Sequence, residues 1–204
     1  MRDQLRAGIA IYNDAFYHAA HDVWEPTWLD LETETDDEQL LHGLIQTSAA
    51  VHHAHSHNWE GAVGLAERAH DYLRELPPTY RNIELQPVRS FLTSLAADPE
   101  LVERRRPVRI EHDGTVPSLV TLDLDSTLIA APVLAEAMGY ETAPIERARE
   151  YAESDLEAGA DDSRFIALLF DFVREDDARG IVYQRLTSHV ERRQTRESDV
   201  EGLF

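Results

Sequence analysis

The sequence predicts a mainly α-helical protein whose N-terminal part is a bundle of antiparallel helix hairpins. Three observations lead to this fold class. Apolar residues recur at spacings of three and four along most of the chain, which is the period of an amphipathic helix. Capping residues and prolines interrupt this period where helices would begin and end. Only the stretch near residues 108–123 has a β-like pattern, and there we predict a short β-hairpin.

Apolar spacing and caps locate the helices of the first half. Leu5, Ile9 and Tyr12 have helical spacing, and Thr35 with Glu38 forms the pattern of a capping box, in which each side chain satisfies the other's free amide. Pro26 lies inside the second predicted helix, where its missing amide predicts a bend. The predicted helices cover about 3–12, 15–30, 36–57, 59–76 and 84–96.

Helical periodicity returns after the predicted hairpin. Helices are predicted over about 132–138, 144–158, 162–174 and 176–193. A boundary rich in charge and proline separates two predicted domains, a helical bundle over 1–98 and an extension over 107–204. Phe165, Leu168 and Phe172 form an apolar face that the bundle or a second subunit must cover. We therefore expect a homo-oligomer, such as a dimer.

Composition restricts the possible functions and the setting. The chain has 39 acidic and 19 basic residues, a net charge of -20, no cysteine and no lysine. Such a surface repels itself unless concentrated salt screens it, so we expect a salt-adapted protein. The acidity argues against nucleic acid as a partner, because phosphate binding requires clustered cations. Disulfides and thiolate sites are excluded, and we expect a cytoplasmic protein that does not span a membrane.

The chain has ten histidines, most of them in the first 70 residues. His21 and Glu25 are one helical turn apart, and Trp28 is on the following turn. Gln46 and His53 lie on one stripe of the third predicted helix. If the two stripes face each other, His21, Glu25, Gln46 and His53 converge between the helices with Trp28 packed over them.

This predicted polar cluster has two interpretations. The first is a structural network inside a structural or protein-interaction module, in which case no cofactor is expected. The alternative is a metal-binding or hydrolase-like enzyme, with His21, Glu25 and His53 as catalytic candidates and His57 as a further metal ligand. The histidines do not follow the zincin pattern, because no glutamate lies between His53 and His57.

The segment Val120–Leu128 resembles the first motif of haloacid-dehalogenase-like phosphatases. That resemblance implies Asp123 as nucleophile and Asp125 as general acid at the tip of a parallel strand, beside a magnesium ion. The rest of the chain predicts helices, with no strands for a parallel sheet and no lysine for the family's third motif. We therefore do not adopt this assignment.

The N-terminal third has a recognisable set of residues, namely Tyr17, Ala20-His21, Glu25, Trp28, Gly43-Leu44-Ile45-Gln46, His53 and Asn58. With these residues it resembles the prokaryotic family known as domain of unknown function 309. The chain has Asp22 where glutamate is usual and His18 where glutamate is frequent. The resemblance covers about residues 4–76 and implies a compact all-helical domain without an established activity. With the acidic, lysine-free composition, it suggests a haloarchaeal member.

Overall fold

Helices form most of the protein, which confirms the predicted fold class. The computed structural model describes residues 1–160 and 162–201, apart from the side chains of residues 200 and 201. Residue contacts divide the chain into unit 1, Met1–Leu122, and unit 2, which starts at Asp123. Among the described helices, none has both the length and the apolar character that are required to cross a membrane.

Unit 1 is built from helices that pack against their neighbours along the chain. These are α1 (Arg2–Asn13), α2 (Tyr17–Leu29), α3 (Asp36–His55), α4 (Trp59–Arg74), α5 (Leu85–Ala97) and α6 (Leu101–Arg104). α1 packs against α2, α2 against α3, α3 against α4, and α4 against α5. The helix pairs predicted for the N-terminal bundle are therefore present.

A glycine allows α1 and α2 to approach each other closely. A Cβ atom placed on Gly8 would lie 2.2 Å from Nε1 and 2.3 Å from Cε2 of Trp24. The Trp24 side chain is fully buried, at 0% exposed, so it occupies the space that any other residue at position 8 would need. Pro26 lies within α2 as expected, while the bend inferred from it stays a prediction.

Side-chain caps start α3 and α4. Thr35 Oγ1 accepts a hydrogen bond from the Glu38 amide at 3.2 Å, and Asn58 Oδ1 accepts one from the Gly61 amide at 3.1 Å. Such caps satisfy amides that the first helical turn leaves free. The predicted capping box is only half formed, because the Glu38 carboxylate bonds to other side chains of unit 1, as described below.

The paired strands are not where the sequence predicts them, and only isolated bridges from His112 to Thr115 and to Ile83 lie in or reach the predicted segment. Strands β1 (Thr79–Tyr80) and β2 (Ile83–Glu84) pair in antiparallel fashion. Arg81 and Asn82 connect them with φ angles of 48° and 61°, as in the tight turns that favour two-residue hairpins. Each strand has two residues, too short for the alternation that a sequence pattern could reveal.

The segment predicted as a hairpin is mostly an irregular loop that Asn13 holds in place. Asn13 Nδ2 donates hydrogen bonds to the carbonyl oxygens of Ile110 and Pro117, both at 2.9 Å, and Asn13 Oδ1 accepts one from the Ile110 amide at 2.8 Å. A 3₁₀ helix, Leu119–Thr121, follows. Because Asn13 uses both backbone polar groups of Ile110, they are not available for the strand pairing that we predicted.

The loop after residue 107 makes these contacts within unit 1. Leu119 also donates its amide to Asp14 Oδ2 at 2.8 Å, and the contact boundary falls after Leu122. The predicted domain limits place this loop in the second domain, 107–204. The predicted domain limits, 1–98 and 107–204, stay a prediction about independently folding parts.

Unit 2 consists of helices arranged around α9. They are α7 (Leu124–Ala137), α8 (Thr142–Glu157), α9 (Arg164–Arg174) and α10 (Arg179–Glu201). α9 packs against α7, α8 and α10, and its side chains Phe165, Leu168 and Phe172 are buried in the single chain. The cover that we expected from the bundle or from a second subunit is therefore supplied by helices of unit 2, and the homo-oligomer stays a prediction.

His112 makes the stability of unit 1 depend on pH. Its side chain is only 1% exposed. Burial lowers the pKa of His112, Arg6 and Arg2 lower it further, and Asp113 and a hydrogen bond to the backbone of Arg81 act in the opposite direction. The unfolded chain therefore binds a proton at this position at higher pH than the folded chain. We expect the free energy of unfolding to decrease as the pH falls below about 6.5, and this contribution to level off below the folded-state pKa.

Denaturant unfolding of the wild type and of His112→Gln, followed between pH 5 and pH 8, tests this expectation. The three tryptophans are Trp24, Trp28 and Trp59, so their fluorescence reports on unit 1. The variant should lose less stability than the wild type over this range. Equal losses in the two proteins would contradict the assignment to His112.

Candidate functional site

Histidine rings from α2 and α3 form a row in unit 1, which we call the histidine row. The ring centroid of His18 lies 5.3 Å from that of His52 and 6.0 Å from that of His21, with interplanar angles of 27° and 22°. The His52 ring lies 6.2 Å from the His53 ring. The row thus crosses from α2 to α3 through His18 and His52.

His18, His21 and Asp22 lie on one face of α2. Offsets of three and four residues bring side chains of adjacent helical turns together. One possible ligand atom from each residue lies within 4.8 Å of the others, and His21 Nδ1 is 3.0 Å from Asp22 Oδ1. His18 is exposed, whereas His21 and Asp22 are partly buried. Two imidazoles and a carboxylate therefore form a group that solvent can reach.

Two histidines of α3, His52 and His55, favour the neutral imidazole. Burial lowers the pKa of His52, and the neighbouring imidazoles of His18, His53 and His55 lower it further. Burial also lowers the pKa of His55, whose ring stacks on that of Tyr17 with centroids 5.4 Å apart. A neutral imidazole has a nitrogen lone pair that can accept a proton or bind a metal ion.

A second cluster connects α2, α3 and α4 around one carboxylate. Trp28 Nε1 donates to Glu38 Oε1 at 2.9 Å, and His42 Nδ1 lies 3.2 Å from the same oxygen. The His42 ring lies between Trp28 and Tyr72, with centroid distances of 4.6 Å and 4.0 Å. Because Trp28 and His42 both bond to Glu38 and the His42 ring packs between two aromatic rings, this tryptophan cluster has the character of a structural network.

The residues of the predicted polar cluster go to different partners in the described part of the chain. His21 contacts His18 and Asp22. Trp28 contacts Glu38 and His42. Gln46 contacts Arg68, and His53 contacts His52 and Asn58. Glu25 is partly exposed on α2. His21 and His53 are therefore linked through His18 and His52.

The rotation of α3 explains this difference. His53 faces α4, since a Cβ atom on Gly61 would lie 2.5 Å from its Nδ1, and Asn58 Nδ2 lies 2.7 Å from the same nitrogen. His52, which is not part of the predicted cluster, contacts His18 on α2. His57 follows the end of α3, is exposed, and lies 3.9 Å from Glu103.

The predicted cluster contains His21 but not its neighbours His18 and Asp22. The signal was present, because residues at positions i, i+3 and i+4 of one helix are neighbours whatever the helix packs against. The shared role of Glu38 was not predicted, since the sequence marks it only as a capping residue. Its contact with His42 follows from an i, i+4 spacing on α3, whereas its contact with Trp28 on α2 is specified by no local pattern.

Asp123 and Asp125 do not form a phosphatase site at the end of a strand. Asp123 is the N-cap of α7, and its Oδ1 accepts a hydrogen bond from the Ser126 amide at 3.0 Å. Asp125 lies in the first turn of the same helix, where a negative charge is favourable. The spacing of the two aspartates is thus explained by the start of a helix.

The fold and the site of unit 1 define a helical domain with a histidine row across its second and third helices. A family model described as Domain of unknown function (DUF309) matches residues 5–65, which span α1, α2, α3 and the first part of α4. Residues 5–65 therefore match the model of this family, which confirms the resemblance found in the sequence. No curated protein matches the chain.

Proposed function

We propose that the DUF309 domain of this protein binds a divalent transition-metal ion through His18, His21 and Asp22. The observation that carries this proposal is the proximity of their three possible ligand atoms, within 4.8 Å of one another. Imidazole nitrogen and carboxylate oxygen are ordinary ligands of zinc and similar ions. The proposal retains His21 from the sequence-based set and replaces Glu25, His53 and His57.

The distances among the ligand atoms of His18, His21 and Asp22 are compatible with metal coordination after small side-chain rotations. Ligand bonds of about 2.1 Å place the ligand atoms of a tetrahedral ion about 3.4 Å apart. The exposed His18 side chain can rotate to shorten its distances to the other two, since solvent lies beside it. Three protein ligands leave a fourth position for water or for a nearby imidazole, and His52 is the imidazole that stacks on His18. An ion held in this way would remain accessible to solvent molecules or small ligands.

Metal titration tests the proposal. Protein purified without a nickel column and treated with a chelator is titrated with Zn²⁺ by isothermal calorimetry. The wild type should bind one equivalent in its tightest phase, and His18→Ala and His21→Ala should each weaken this phase by about tenfold or more. Circular dichroism verifies that the variants are folded.

His57→Asn is the matched control, because it removes an exposed imidazole and because asparagine tolerates the positive φ of 59° at that position. We expect its affinity for Zn²⁺ to equal that of the wild type. Absence of a saturable phase in the wild type would refute the proposal. Equal weakening of Zn²⁺ binding by His57→Asn and by His21→Ala would also refute it.

A structural or protein-interaction module is the second candidate function. The tryptophan cluster favours it, because Trp28, Glu38, His42 and Tyr72 connect three helices without an open reactive group. Self-association is part of this candidate. Sedimentation velocity in molar KCl should then show a species larger than the monomer, and a monomer at all concentrations would contradict it.

We further propose a salt-rich cytoplasm as the setting. Support comes from the net charge of -20, whose self-repulsion is reduced when salt shortens the range of electrostatic forces to a few ångströms. The melting temperature should therefore increase with KCl concentration up to the molar range. A decrease over this range would contradict the proposed setting.

A further inference from the structure

A groove in unit 2 has the opposite charge from the chain as a whole. It has a volume of about 670 Å³ and lies between the start of α9 and the C-terminal half of α10. The cationic and potentially cationic residues that line it are Arg164, His189, Arg192, Arg193 and Arg196. Since the net charge of the chain is -20, four guanidinium groups around one groove form a local concentration of positive charge. We call it the arginine groove.

One of these arginines is held by carboxylates and aromatic rings. Arg193 donates to Asp155 Oδ1 at 2.6 Å and to Glu197 Oε1 at 3.1 Å. Its guanidinium carbon also lies 4.2 Å from the ring centroid of Tyr151 and 5.6 Å from that of Phe165. Arg193 therefore forms a rigid, charge-neutralised part of the groove.

The other three arginines have no carboxylate partner among the residues that the structure describes. Arg164 NH1 is 3.5 Å from His189 Nδ1, and Arg192 Nε donates to the carbonyl oxygen of Ser188 at 3.0 Å. Arg196 is exposed. Their positive charges are thus available to a ligand that carries negative charge.

His189 indicates that these cations repel one another. Its pKa is lowered by partial burial, and the guanidinium groups of Arg164 and Arg192 lower it further. The imidazole can therefore offer a neutral nitrogen, while the surrounding charge disfavours a further proton. An anion placed in the groove would relieve this repulsion and favour protonated His189.

We propose that the arginine groove binds a small molecule that carries two or more linked phosphate groups. Guanidinium groups bind phosphate oxygens through paired, charge-assisted hydrogen bonds. Three guanidinium groups without carboxylate partners exceed what a single phosphate requires, and the groove volume lies within the usual range for small-molecule sites. The acidic surface elsewhere repels such a ligand, so binding depends on this local reversal of charge.

The test uses sodium tripolyphosphate and metal-free full-length protein, at the lowest KCl concentration that keeps the chain folded. Calorimetry should show one saturable site in the wild type. Arg192→Gln and Arg196→Gln should each weaken binding by about tenfold, because each removes a charge-assisted hydrogen bond. Arg185→Gln is the matched control, since Arg185 is exposed on the same helix outside the groove lining. It should leave the affinity unchanged.

A second readout shows where the anion binds. The proton resonances of the His189 ring, followed by NMR during a pH titration, should report a higher pKa when tripolyphosphate is present. Three outcomes would overturn the proposal: no saturable binding, equal weakening by Arg185→Gln and Arg196→Gln, or an unchanged His189 titration. Stronger binding of a single-stranded oligonucleotide than of tripolyphosphate would also overturn it, because the ligand would then be a nucleic acid.

Discussion

Replacement of Gly8 by alanine is expected to lower the free energy of unfolding of unit 1 by about 2 kcal/mol. The added Cβ atom would lie 2.2 Å from Trp24 Nε1 and 2.9 Å from Trp24 Cδ1. Trp24 is fully buried and has no free space to move into, so α1 and α2 must separate to accept the methyl group. Overpacking of this kind costs about 3 kcal/mol at the upper end, and the higher helix propensity of alanine offsets about 1 kcal/mol of it.

Gly64→Ala is the matched control for this prediction. Gly64 also lies inside a helix, α4, but the nearest atom to its added Cβ would be Arg68 NH1 at 3.9 Å. Only the propensity effect remains there, so this variant should be more stable than the wild type by up to about 1 kcal/mol. Denaturant unfolding followed by tryptophan fluorescence measures the free energy of unfolding of both variants. If the two variants change stability in the same direction, the steric argument for Gly8 is wrong.

Removal of the Asn13 amide is expected to cost about 3 kcal/mol of unfolding free energy. Its three hydrogen bonds to Ile110 and Pro117 are worth about 1 kcal/mol each, which gives this total. Asn13→Ala should therefore release the loop from α1. Native-state hydrogen exchange should show faster exchange at the Ile110 amide, which donates a hydrogen bond to Asn13 Oδ1 at 2.8 Å in the wild type.

Asn82→Gly provides the comparison for Asn13→Ala. Asn82 donates one exposed hydrogen bond to Asp113 at 2.8 Å, and glycine tolerates its φ of 61°. Loss of this side chain should change stability by no more than about 0.5 kcal/mol. An Asn13→Ala variant that matches the wild type in stability and in Ile110 exchange would show that the loop does not depend on Asn13.

The helices of unit 1 were largely predictable because their signals are local. Leu5, Ile9 and Tyr12 are buried at the predicted helical spacing, and the Thr35 and Asn58 caps form as their positions predict. Periodicity and capping involve residues a few positions apart, so neighbouring chain segments do not need to be known. In the C-terminal half, α7 starts earlier than predicted because the Asp123 cap was not recognised.

The candidate site was only partly predictable. Several stripes of a histidine-rich helix have plausible spacing, and only packing decides which one faces a partner. In α3 the contact with Gly61 turns His53 toward α4, and this leaves His52 to meet His18 on α2. The group of His18, His21 and Asp22 needed no such information, since all three residues lie on one helix.

Amino-acid order alone was sufficient for the helical class, the principal caps, the strong negative charge and the family of residues 5–65. The position of the β-hairpin and the course of the loop that follows residue 107 required the folded chain, because Asn13 binds Ile110 across 97 positions of sequence. The arginine groove likewise exists only where α9 and α10 come together. Interactions within one helical turn can be recognised in a sequence, whereas hydrogen bonds and charges that meet across distant segments arise only when those segments pack.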